Sequence, residues 1–143
     1  MYADVIKSNH FTQKVIPIID KAQKSIDIVV FDWRWYSDNL GSNIQLFNQS
    51  IIRAVRRGVR VQVISNSNDI IKTLSKNGVK AKKFISKKLL HTKLMIIDEK
   101  IVITGSHNYT MSAFNSNFEL SVILYKLDNI SEFSNYFLNL WQK

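Results

Sequence analysis

Six residues around position 100 have the types and spacing that phosphate chemistry needs: His91, Lys93, Asp98, Gly105, Ser106 and Asn108. Cleaving a phosphodiester requires a group to attack phosphorus, charge to stabilise the developing oxyanion, and a proton for the leaving oxygen. An imidazole can supply the first or the third, because its ordinary pKa of about 6.5 allows both protonation states near neutrality. A lysine brings fixed positive charge, while a hydroxyl and a carboxamide bring neutral hydrogen bonds. Residues 94–97 and 101–104 are apolar, β-rich runs separated by Asp98-Glu99-Lys100, which predicts a hairpin. Alternation along the first strand puts His91 and Lys93 on one face, and Asp98 on the opposite face at the turn, in a structural role. The second strand ends at Gly105, so Ser106 and Asn108 return beside His91 and Lys93.

This spacing, H-x-K-x4-D-x6-G-S-x-N, resembles the HKD motif of the phospholipase D superfamily at all six fixed positions. Glu119, in Asn117-Phe118-Glu119, matches the acidic residue that orients the histidine in that family. One motif copy in 143 residues resembles the small Nuc-type bacterial endonucleases and related single-motif mitochondrial enzymes, which pair two chains to complete one active site. The resemblance implies an α/β fold, a mixed β-sheet flanked by helices, in one phospholipase D-like domain spanning 1–143, and a homodimer.

The same resemblance implies that His91 of one chain attacks to form a phosphohistidine. His91 of the other protonates the leaving group and then activates water. Lys93 and Asn108 of both chains bind the nonbridging oxygens, Ser106 assists through its hydroxyl, and Glu119 holds the imidazole tautomer. Asp98 and Gly105 are structural. One histidine cannot act on opposite sides of one phosphorus. His10 and His107 lack the lysine framework and are expected at a helix start and at the site rim. No HxxxH pair or clustered carboxylate pair appears, so no metal and no cofactor is expected.

Twenty Lys and Arg against eleven Asp and Glu give a net charge of +9, which favours a polyanionic partner: nucleic acid, or an anionic lipid surface. Lys80, Lys82, Lys83, Lys87 and Lys88 precede His91 and are expected to line a groove leading to it, with Lys87 and Lys88 on substrate. The absence of cysteine excludes disulfides and thiolate chemistry. No apolar run approaches the roughly 20 residues that span a bilayer, and residues 1–9 lack a secretory pattern. The chain is thus expected to be soluble, with a cytoplasmic location favoured.

Ser8 or Asn9 is expected to cap a helix with apolar Phe11, Val15, Ile18, Ile19 and Ala22, in which Pro17 makes a kink or marks a late first turn. A buried strand follows at 25–31. The next loop holds Trp33, Arg34 and Trp35, where aromatic rings beside a cation would contact substrate; the alternative is that the tryptophans fill the core or an interface. Two α/β units come next: a helix from Ser42 to Gly58 with a strand at 59–65, then a helix opened by Asn68 or Asp69 with a strand at 79–85. Beyond the hairpin, a loop with a helical turn, a strand at 119–125 and an amphipathic helix begun by Asp128 or Ser131 complete the pattern.

These readings point first to a metal-independent endonuclease cutting DNA or RNA. A phospholipase D-type hydrolase of a phospholipid headgroup, such as cardiolipin, would use identical chemistry. An inactive nucleic-acid-binding module is the third reading, though a pure binder has no need of an imidazole at the phosphate.

Overall fold

The computed structural model describes residues 1–143, folded as one seven-stranded mixed sheet flanked by helices. The first strand, β1 (Tyr2–Lys7), is absent from the sequence reading, because a mostly exposed edge strand lacks a clean apolar alternation. A 3-10 turn, Ser8–His10, leads into α1 (Phe11–Asp20). Neither Ser8 nor Asn9 caps this helix: His10 holds the N-cap position without a side-chain bond. Ser8, at φ 42, uses its Oγ to accept the Glu119 N–H at 3.2 Å. Pro17 lies inside α1, and the helix continues through it to Asp20.

Next comes β2 (Ser25–Val30), buried along its whole length. Two helix–strand units follow, α2 (Asn43–Arg56) with β3 (Arg60–Ser65), and α3 (Asn68–Lys76) with β4 (Lys80–Lys83). Ser42 caps α2, and Ser67, rather than Asn68 or Asp69, caps α3. The chain then reverses into the hairpin of β5 (Lys93–Ile97) and β6 (Ile101–Gly105). A short helix, α4 (Met111–Asn115), precedes β7 (Leu120–Tyr125), and α5 (Ile130–Trp141) starts from Asn129, not from Asp128 or Ser131.

Strand order is β1-β7-β6-β5-β2-β3-β4. β2, β3 and β4 run parallel, and β5 pairs antiparallel with β2, so the parallel and antiparallel halves meet at that junction. Alternation divides the strands between two cores. Ile26, Ile28, Met95, Ile97 and Ile103 pack under α1–α4 in a cluster of 27 buried residues. Val29, Ile64, Leu94, Ile96 and Val102 face the other way, against Phe137 of α5, in a cluster of 7. The sheet is therefore deeply covered on one face and thinly on the other.

Asp98 ties the hairpin turn to the start of β2. It sits at φ 55, a left-handed conformation that Asp and Asn tolerate better than most residues. Its carboxylate accepts the backbone N–H groups of Gln23 (3.1 Å), Lys24 (2.7 Å) and Ser25 (3.1 Å), and its own N–H donates to the Ser25 carbonyl at 2.7 Å. Burial alone would raise this carboxyl's pKa; the three amides outweigh it and hold the pKa below the ordinary value. A carboxyl depressed in the folded state stabilises above its unfolded pKa, and that contribution is lost as pH falls through the folded value. Asp98→Asn keeps the left-handed preference and removes the charge. It should cost about 1–2 kcal/mol at pH 7, and the gap to the parent should begin to narrow below about pH 4 and close only once pH falls below the depressed folded value. Urea denaturation at pH 7 and through the acid range below about pH 4 measures this; a gap independent of pH would contradict the charge argument.

Candidate active site

Apart from Asp98, which lies at the opposite end by the start of β2, the motif residues collect around the carboxyl end of β2, the usual location for a site in an open α/β sheet. Val30 is paired with Lys93, so β5 begins where β2 ends. The sequence reading placed His91 on the strand, but β5 starts only at Lys93, and His91 belongs to an irregular lead-in. The two side chains still meet: the Lys93 Nζ lies 3.1 Å from His91 Nδ1 and 3.3 Å from Nε2. Phe31, just past β2, packs its ring 4.9 Å from the imidazole, centroid to centroid. Burial lowers the Lys93 pKa from its ordinary value, opposed by the negative charge of Glu119. The imidazole itself is exposed.

Asn66 fixes this lead-in, and sequence reasoning missed it. Its Nδ2 donates to the carbonyls of both Phe31 and Leu90, each at 3.0 Å, joining the end of β2 to the residue before His91. Its place directly after β3, at the carboxyl end of a parallel strand, is the signal that could have found it.

Gly105 turns the second half of the motif. At φ +155 it passes so close to β7 that a Cβ would lie 2.4 Å from Ser121 Cα and 2.5 Å from the Leu120 carbonyl oxygen. Beyond it, the Ser106 N–H donates to Leu120 O at 3.0 Å, while the Ser106 Oγ accepts the Leu120 N–H at 2.9 Å and donates to Glu119. The Asn108 Oδ1 accepts the Asp32 N–H at 3.1 Å, and its Nδ2 has no hydrogen-bond partner in the chain. The Tyr109 N–H donates to the Asp32 carbonyl at 3.0 Å and the Arg34 N–H to the Tyr109 carbonyl at 2.9 Å, so the loop is knitted to the extension of β2.

Glu119 has no hydrogen bond to His91 of its own chain. Its two oxygens accept from Ser106 Oγ and from Asn117 Nδ2, the latter at 3.0 Å. Phe118 is wholly exposed beside it, and Leu120 is more than half exposed.

Several expectations are corrected by burial. Trp33 cannot contact substrate, since it is 1% exposed, donates from Nε1 to Asn48 Oδ1 at 2.7 Å, and packs between Phe47 and Tyr109. His107 is buried rather than at a rim: its ring bridges Ser121 Oγ and the Ser8 carbonyl, both at 2.8 Å, and burial lowers its pKa. Arg34 is exposed and ion-paired with Asp32 at 2.8 Å. Lys82 leaves the expected basic row, because its Nζ donates to the Trp141 carbonyl at 2.7 Å and lies over that indole ring. Lys87 and Lys88 are exposed on the loop before His91 and line an open groove of about 570 Å³ with Phe84, Leu90, Tyr136 and Leu140. No three His, Asp or Glu side chains come together as a metal site requires.

Comparison with known proteins agrees with the fold. The profile of the family described as cardiolipin synthase, PLD-like domain, matches residues 15–141. The chain belongs to the phospholipase D superfamily. Mitochondrial cardiolipin hydrolase of Mus musculus is 30% identical over 128 residues, covering 85% of the chain and 54% of the relative. A phospholipase D of Rickettsia conorii is 33% identical over 112 residues, covering 74% of the chain and 52% of the relative. The chain thus spans about half the length of these curated relatives. The fold matches that of Nuc, a phospholipase D family member from Salmonella typhimurium, with a TM-score of 0.82 at 19% identity, over 99% of this chain and 95% of that one.

For this phospholipase D-like chain the glycine at the motif's turn is a sharp structural requirement. Gly105→Ala must push β6 away from β7, because the clash is with backbone rather than with a mobile side-chain tip. A loss of roughly 2 kcal/mol or more is expected, with Ser106 and Asn108 displaced. Denaturant melts of the variant and its parent measure it; a neutral result would mean the two strands part at little cost.

Proposed function

We propose that the chain is a metal-independent phosphodiesterase, an endonuclease of DNA or RNA, that works through a phosphohistidine in a site shared by two identical chains. The observation that carries this reading is the exposed His91 ring with the Lys93 ammonium against it, at the edge of a surface that also offers Asn108 Nδ2. Each chain supplies one histidine, and an in-line displacement uses two. In one chain a His91 nitrogen attacks phosphorus, and the leaving oxygen departs with a proton from His91 of the second chain. Water, deprotonated by that second imidazole, then breaks the phosphorus–nitrogen bond and restores both histidines.

Lys93 and Asn108 of both chains stabilise the nonbridging oxygens, an electrostatic task that a bound cation would otherwise perform. The exposed Phe118 and Leu120 beside Ser106 and Glu119 support burial of this edge by a second copy. The net charge of +9 supports a polyanionic substrate. A second reading, hydrolysis of a phospholipid headgroup, is favoured by the 30% identity to a cardiolipin hydrolase.

His91→Ala should abolish turnover of DNA, RNA and bis(p-nitrophenyl) phosphate while leaving oligonucleotide affinity within about threefold, since the phosphate-binding charges stay in place. Residual cleavage with lost affinity would show His91 to be a binding residue only. Cleavage by the parent should persist in excess EDTA; loss in EDTA restored by a divalent ion would refute the metal-independent route. Vesicles containing cardiolipin, assayed beside the nucleic acids, decide between the two substrate classes.

A further inference from the structure

The segment between β4 and His91 has a shape that catalysis does not explain. Phe84 donates its N–H to the Ser65 carbonyl at 2.8 Å, and the Leu90 carbonyl accepts from Asn66 Nδ2, so the segment is anchored at both ends. Phe84 and Leu90 pack into the thinner core. Between them Ile85-Ser86-Lys87-Lys88-Leu89 projects into solvent. Ser86 Oγ accepts the Lys88 N–H at 3.1 Å, a local turn that presents both lysines at the tip. Ile85 is 87% exposed and Leu89 70% exposed.

A single exposed aliphatic residue needs no explanation. Two on one anchored loop, on either side of two unpaired lysines, are a different matter, because the adjoining apolar residues did find buried positions. The charge is one-sided as well. No acidic residue occurs between Asp69 and Asp98, whereas Lys80, Lys83, Lys87 and Lys88 are all exposed there.

We infer that the loop 85–89 docks the protein on an anionic lipid bilayer, with Ile85 and Leu89 inserted among the headgroups and Lys83, Lys87 and Lys88 against their phosphates. Apolar insertion and basic attraction reinforce each other at such a surface, each nearby lysine adding roughly fivefold to binding. Leu89 is two residues from His91, so the two Cα atoms lie within about 7 Å and docking would hold the His91 backbone close to the membrane surface. The inference does not depend on which phosphodiester the site hydrolyses. A polynucleotide is the competing occupant of the lysines, but it gives Ile85 and Leu89 nothing to enter.

The test is flotation with vesicles of phosphatidylcholine alone and of equimolar phosphatidylcholine and phosphatidylglycerol. The protein should bind only the anionic vesicles, and 1 M salt should weaken that binding without abolishing it. Ile85→Ser with Leu89→Ser should reduce the affinity about tenfold or more, with unchanged thermal midpoint, oligomeric mass and turnover of bis(p-nitrophenyl) phosphate. Unchanged vesicle affinity in the double variant would overturn the inference, as would equal binding to neutral vesicles. A change in oligomeric mass would assign the loop to a contact between chains, and a loss confined to oligonucleotide affinity would assign it to nucleic acid; either result also overturns it. Absence of phosphodiesterase turnover in the parent would refute the catalytic reading while leaving the vesicle result intact.

Discussion

The antiparallel register of β2 with β5 is the constraint that sets Lys93 and the lead-in carrying His91 in place. Asp98 holds one end of it with three backbone amides, and at the other end Val30 opposite Lys93 puts the lysine where the parallel half of the sheet opens. A slip of one residue would exchange the faces of β5, turning Lys93 towards α5 and the Met95 and Ile97 side chains out of the larger core. The core therefore enforces the site: nearly all of β5 is buried, and only one register buries both faces correctly.

The second half of the motif is held by polar bonds in place of apolar packing. Ser106 bonds to β7, His107 to β7 and the Ser8 turn, and Asn108 to the extension of β2. His107 shows why the variable position of the motif need not be at the surface. Its inward ring satisfies a buried serine hydroxyl and a carbonyl, and burial favours the neutral imidazole that such bonds need. The loop thus turns two side chains outward by turning the one between them inward.

Much of this was legible in the sequence, and the failures share a cause. The hairpin and the two α/β units follow from patterns a few residues long, and the structure contains them. The edge strand β1 did not announce itself, because exposure on both faces erases alternation. Trp33 reads as a ligand contact only until Asn48, fifteen residues on, is known to accept its indole N–H. Lys82 reads as free charge until Trp141 of α5 arrives over it. Asn66 and the Gly105 approach to β7 are likewise long-range facts. Local periodicity identifies elements; what each polar side chain meets is decided by packing between elements distant in sequence.

The unequal covering of the sheet bears on where a substrate or second chain can approach. Four helices seal one face over a large aromatic and aliphatic core, whereas α5 alone covers the other and leaves open grooves beside Thr92, Tyr136 and Leu140. The exposed apolar residues near the site, Leu89, Phe118, Leu120 and Tyr136, belong to the lead-in, to β7 and its approach, and to α5, not to the sealed face. A large anionic partner must therefore reach His91 across surfaces that are both apolar and basic. Charge draws such a partner over distances of about a Debye length, and the apolar residues act only on contact. The two effects select different things: the lysines favour any polyanion, while the aliphatic and aromatic side chains discriminate among polyanions by what each offers to bury.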